Sequence, residues 1–113
     1  MESQVELNNE RLRLLRKFQK LMPEVLAKER EFINTVYQEG ALSAKMKRLI
    51  SLGIALREGC INCVLAQTIC ALDAGATRDE ILETLSVEMS MSGTTGVAES
   101  LRVIKLLDEM GKL

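Results

Sequence analysis

The sequence predicts an all-α fold: a single-domain bundle of six helices over residues 1–113. Three observations predict it. Apolar residues recur at helical spacing nearly throughout, and no segment sustains a period-two alternation bounded by turns. Start and stop signals at Pro23, Gly40, Ser43, Gly75 and Thr77 cut the chain into helix-length pieces. The 113 residues suit one domain with a modest core. With 47% hydrophobic but only 3% aromatic content, that core is built from Leu, Ile, Val, Ala and Met.

The first helix is expected from Gln4 to Leu21, with Leu14, Leu15, Phe18, Leu21 and Met22 on one side. Pro23 suits the first turn of a second helix, because its missing N–H is unpaired there anyway. That helix is expected to reach about Gln38 and stop at Gly40, with Val25, Leu26, Ile33, Val36 and Tyr37 apolar. Ser43 can cap a third helix running to Glu58. From Leu49 to Leu56 it is apolar except for Ser51, which predicts burial on most sides. A fourth helix opens at a Cys-Ile-Asn-Cys motif, Cys60 to Cys63, and ends at Gly75. Thr77 and Glu80 form a capping box for a fifth, with Ile81, Leu82, Leu85 and Met89 inward. Gly93 and Gly96 flank a break at Thr94–Thr95. The last helix places Val97, Leu101, Ile104 and Leu107 at core spacing. There is no linker, low-complexity tract or repeat.

The third and fourth helices carry little polar face. Either they form a central hairpin wrapped by the other four, or their leftover apolar surface packs against other copies of the chain.

Composition excludes several classes of function. A net charge of −1 creates no global field toward nucleic acid or an anionic membrane. Phe18, Phe32 and Tyr37 are too few for a base-stacking surface. The polar, acidic stretch Met1–Glu10 does not read as a signal peptide, and no apolar run reaches the length of a membrane span. A cytoplasmic location is therefore expected. There, a C-x-x-C is more often catalytic or metal-binding than structural.

Cys60 and Cys63 are the most informative residues. Three apart on a helix, they share a face and differ by about 4.5 Å in rise. Their Cα atoms can then fall within the roughly 4.4–6.8 Å that a disulfide tolerates. Unpaired N–H groups and the positive end of the helix dipole favour thiolate at such a position. The pattern points to a redox dithiol; the bland alternative is two core cysteines with accidental spacing. Cys60, Cys63, Gln67 and Cys70 lie in one stripe, but Cys70 is about 10 Å along the axis from Cys63 and reads as a small hydrophobe.

Other chemistries lack their residues. A closed zinc site needs four ligands, and the chain has no His and no second C-x-x-C. No metal or cofactor is expected. The missing His also removes a Cys–His nucleophile pair and His acid–base catalysis, and a thioredoxin fold lacks its strands. Arg11, Arg13, Arg16, Lys17 and Lys20 make a basic run without an acidic residue. It reads as a docking patch for an acidic partner or as a solvated face offset by Glu2, Glu6 and Glu10, the second being preferred. The six Met residues read as core filler.

Lys47-Arg48-Leu49-Ile50-Ser51-Leu52, then Gly59-Cys60-Ile61-Asn62-Cys63, then Ala71-Leu72-Asp73-Ala74-Gly75-Ala76-Thr77-Arg78-Asp79-Glu80-Ile81 together resemble the carboxymuconolactone decarboxylase family. The chain looks most like that family's alkylhydroperoxidase branch, over roughly residues 23–107. The resemblance implies an all-helical fold with the cysteines at a helix N-terminus, within a homo-oligomer, commonly a trimer or hexamer. It implies a peroxide or disulfide substrate and a separate reducing partner. Carried over, Cys63 attacks the substrate and Cys60 resolves the product as a disulfide. Helix position alone would instead favour Cys60 as thiolate.

Two positions depart from the branch's pattern. Its C-x-x-C-x-x-x-H has Gln67 in the last place, and its Glu twelve residues before the first cysteine is Arg48. The carboxylate–imidazole relay is thus absent. Gln67 can hydrogen-bond but does not exchange protons near neutral pH, whereas the charge of Arg48 would favour thiolate. The expectation is a thiol–disulfide oxidoreductase with weak peroxide chemistry, against a non-catalytic homo-oligomer that binds a small molecule or partner. Lactone decarboxylation is not expected, since the C-x-x-C is a peroxidase-branch feature.

Overall fold

The computed structural model describes all residues from Met1 to Leu113, and it is all-α. Six helices follow in order: α1 Gln4–Leu21, α2 Pro23–Val36, α3 Ala44–Glu58, α4 Ile61–Asp73, α5 Arg78–Ser92 and α6 Thr94–Glu109. The helices α3 and α4 form the most extensive pairing, α5 packs on α3, and α6 packs on α5 and α4. Every buried hydrophobic side chain belongs to these four helices or the turn at Ala76; Leu52, Val64, Leu65, Ile81, Val103 and Leu107 are wholly inaccessible.

The start signals act as the sequence predicts. The Ser43 hydroxyl accepts from the Met46 N–H at 3.0 Å. Thr77 and Glu80 close a reciprocal capping box, with bonds of 3.1 Å and 2.9 Å, so both ends of the chain's sharpest sequence signal are satisfied.

Elsewhere the structure departs from expectation. The buried positions of α1 are polar, Gln4 and Asn8, while Leu14, Phe18, Leu21 and Met22 lie exposed. The reason is a polar anchor. Glu109 at the end of α6 accepts from Ser3 Oγ at 2.5 Å and from the Gln4 N–H at 2.7 Å, and Arg102 donates to Gln4 Oε1 at 3.2 Å. This pins the inward face of α1 and turns its apolar side outward. Helix α2 buries no residue at all. It also ends before Gln38, because Lys47 Nζ reaches back to the carbonyls of Val36 and Gln38 at 2.8 Å and 2.7 Å. A cation on terminal carbonyls is a C-terminal stop.

Helix α3 is buried on one face only: Leu49, Leu52, Ala55 and Leu56 point inward, Ile50 and Ile54 outward. Helix α6 begins directly after Gly93, and Gly96 lies inside it. Its inward residues are Gly96, Ser100, Val103, Leu106 and Leu107; Leu107 is buried as expected, but Val97 and Leu101 are exposed. Close approach to α5 causes this one-position rotation. A Cβ on Gly96 would sit 2.6 Å from Glu88 Oε2 and 3.0 Å from the Met89 Cα, so only a residue without one can face α5 there.

Candidate functional site

The cysteine pair sits on a corner with no linker. Gly59 ends α3 in the left-handed region at φ 70°, donating to the carbonyls of Ala55 and Leu56, a conformation that suits Gly. The next residue, Cys60, already starts α4. It is the N-cap, in extended conformation, and its sulfur accepts from the Cys63 N–H at 3.2 Å. Cys60 therefore lies just outside the first turn rather than within it. The two Cα atoms are 5.2 Å apart and the sulfurs are joined as a disulfide. Cys60 is half-buried and Cys63 exposed. The more exposed residue of the pair is thus the second.

One turn beyond Cys63 on the same stripe, Gln67 is half-buried and its Oε1 accepts from Arg48 Nη1 at 3.2 Å. The two positions that depart from the family pattern therefore meet each other. The Arg48 guanidinium also lies over the Tyr37 ring, 3.4 Å from its centroid, and the Tyr37 hydroxyl is hydrogen-bonded to Ser51. Arg48 has no carboxylate in ion-pair range; the three ion pairs of the chain are Arg13–Glu10, Lys45–Glu80 and Arg78–Asp79. A cation held by an aromatic face and an amide dipole is fixed in place without being neutralised.

Cys70 is free and half-buried. It lines a cavity of about 360 Å³ together with Tyr37, Arg48 and Asp73.

Two residues near the site escaped the sequence reading. Tyr37 reads there as one more apolar position, and nothing in the spacing signals that it supports Arg48 across the turn between α2 and α3. Glu99 comes from α6, far along the chain. Its Oε1 lies 4.0 Å from where a Gly59 side chain would begin, which puts a carboxylate beside the residue preceding Cys60.

An all-helical bundle with a cysteine pair at a helix N-terminus is the class that fold and site define. The sequence model of the carboxymuconolactone decarboxylase family matches residues 23–106, and the chain belongs to that family. A crystal structure of an apo-form carboxymuconolactone decarboxylase family protein from Legionella pneumophila superimposes with a TM-score of 0.87 at 26% identity, over 96% of this chain and 97% of that one. An uncharacterised protein of Cupriavidus necator is 34% identical over 73 residues, and the match spans 65% of each protein.

Proposed function

We propose that this chain is a cytoplasmic thiol–disulfide oxidoreductase of the alkylhydroperoxidase type, with Cys60 and Cys63 as its redox pair. The observation that carries this reading is the pair itself: two sulfurs within bonding reach at the start of α4, with Cys63 open to solvent. With a disulfide substrate, the Cys63 thiolate attacks one sulfur and the substrate S–S bond breaks, expelling a thiolate that takes up a proton. Cys60, as thiolate, then attacks the Cys63 sulfur and releases the second substrate thiol. The chain loses two electrons and two protons, and a dithiol reducing partner restores them. With a peroxide, Cys63 takes the outer oxygen as a sulfenic acid and an alcohol leaves. Cys60 then condenses with that sulfenic acid, releasing water.

The N-cap geometry supports the resolving step. A Cys60 thiolate keeps the Cys63 N–H as a donor, and the helix dipole favours its charge. The Arg48–Gln67 hydrogen bond favours a second reading, because it fills the relay's place with groups that move no proton near neutral pH. On that reading the chain is a non-catalytic member of the family that self-associates and binds a small molecule or partner. Self-association is part of both readings, given how many large apolar side chains the single chain exposes.

Peptide mapping by mass spectrometry, with turnover of a small disulfide by the reduced protein, tests the proposal. A Cys60–Cys63 bond that forms on mild oxidation and is consumed and regenerated in turnover is expected. Free thiols after diamide treatment would reject the redox pair in favour of the second reading.

A further inference from the structure

We propose that the groove between α3 and α5 receives the outward face of α1 from a second copy of this chain. The proposal rests on the self-association reading above and names the surfaces that meet.

The groove encloses about 640 Å³. Its apolar side chains are Met46, Leu49, Ile50 and Ile54 from α3 with Val87 and Met91 from α5; Ile54 is 59% and Met91 81% exposed. Four glutamates, at 58, 80, 83 and 88, line it against the single guanidinium of Arg57. Glu80 is answered by Lys45 at 2.8 Å. Glu88 is not answered: it is 6% exposed and neither carboxylate oxygen has a hydrogen-bond partner. Its Oε2 is turned toward Gly96 of α6, however, so the charge the groove still offers a partner is that of Glu58 and Glu83, neither of which is in an ion pair.

The same chain carries the complementary surface. Because α1 turns polar residues inward, Leu14, Phe18 and Leu21 stand exposed at i, i+4 and i+7, the spacing by which a helix anchors in a groove. Lys17 and Lys20 flank this stripe on one side, and no acidic residue lies between Arg11 and Lys20. Arg13, by contrast, is already committed to Glu10. The lengths agree as well. Leu14 to Leu21 spans about 10 Å of helix axis and Met46 to Ile54 about 12 Å, at ~1.5 Å per residue.

An apolar stripe with a basic rim and an apolar trough with an acidic rim, on one chain, satisfy each other when copies join head to tail. Each copy then gives its α1 to one neighbour and its groove to another, and such a contact closes into a ring where its rotation brings the last copy back to the first. Helix α2, which buries nothing in the single chain, follows α1 onto the neighbour.

Light scattering on the full chain at micromolar concentration tests this. The parent is expected at a multiple of 12.6 kDa. Phe18→Asp and Ile54→Asp, both at exposed positions, are each expected to give the single-chain mass with unchanged helical circular dichroism. Reversing charge on α1 (Lys17→Glu, Lys20→Glu) or in the groove (Glu58→Lys, Glu83→Lys) should also release single chains. Mixing the two reversed chains should restore association, whereas a contact between two α1 faces would leave the groove-reversed chain multimeric on its own. A parent that stays multimeric with either Phe18→Asp or Ile54→Asp in place leaves self-association standing and overturns this interface. A monomeric parent overturns both; a hydrophobic dye that then binds in the groove would mark it as a small-molecule site instead.

Discussion

Arg48 on α3 donates to Gln67 on α4 at 3.2 Å, so the two residues at the positions where the alkylhydroperoxidase resemblance expects a proton relay form a contact of their own. The pair is a structural unit rather than two separate losses. It ties α3 to α4 one turn beyond Cys63 and holds a positive charge at Gln67, with the Tyr37 ring beneath it. Thiolate is favoured by such a charge, but a proton must leave or arrive by solvent.

This gives a prediction for the relay positions. General acid–base assistance is typically worth about 10²–10⁴-fold, so the parent should turn over peroxide weakly and exchange with disulfides measurably. Arg48→Glu with Gln67→His should raise the peroxide rate, because it restores a carboxylate and an imidazole to residues already in contact. Arg48→Glu alone should lower it, by removing the fixed cation. Peroxide consumption by the parent, both single variants and the double variant decides the matter. A parent that is already fast would mean the relay is dispensable here.

The roles of the two cysteines are separable by exposure. Cys63 is exposed and Cys60 half-buried, so Cys60→Ser should still form one mixed disulfide with a substrate at Cys63 and then stall. Cys63→Ser should react slowly with bulky thiol reagents. Intact-mass measurement after one equivalent of a disulfide substrate reads both. The reverse pattern would assign attack to Cys60, as its N-cap position alone would suggest.

Much of this was legible in the sequence, and what was not has a physical cause. Helix count, the Ser43 cap, the Thr77–Glu80 box and the Cys60–Cys63 corner are local, fixed by residues within a turn of one another. The facing of α1 and α6 is not local. Leu14, Phe18 and Leu21 look like a core stripe until Glu109, over a hundred residues away by sequence, anchors the opposite side of the helix. Val97 and Leu101 look inward until Gly96 is seen to be the residue that fits against α5. The motif singles out Cys60, Cys63, Arg48 and Gln67 as positions, but the Arg48–Gln67 bond and the approach of Glu99 need the bundle assembled.

Gly96 should be intolerant of substitution. Alanine ordinarily gains about 1 kcal/mol over Gly within a helix. Here its Cβ would lie 2.6 Å from Glu88 Oε2 and 3.0 Å from the Met89 Cα, and a backbone atom cannot step aside as a side chain does. Overpacking of this kind costs about 1–3 kcal/mol. Gly96→Ala should therefore lower the denaturant midpoint. An unchanged or raised midpoint would show that α5 and α6 separate freely.

The anchor of α1 should weaken in acid. The Ser3 hydroxyl, then the N–H groups of Gln4 and Val5, hold the Glu109 carboxyl below its usual range, with the charge of Lys105 adding to them. A carboxylate whose folded pKa is depressed stabilises the fold above the unfolded value, about 4.3 for Glu. That contribution is lost as pH falls through the lower, folded value. Hydrogen exchange at the first amides of α1 should thus show protection that is flat from neutral pH down to mildly acid conditions and falls only below the ordinary carboxylate range. Rates must be corrected for the intrinsic pH dependence of exchange. Glu109→Gln keeps an oxygen to accept from Gln4 but not the charge, so it should lower protection at neutral pH and flatten the acid response. The core amides of α4 should respond little to either change, because they do not depend on the anchor. Equal loss of protection in α1 and α4 would mean that the acid response is global unfolding, and that Glu109 does not act locally.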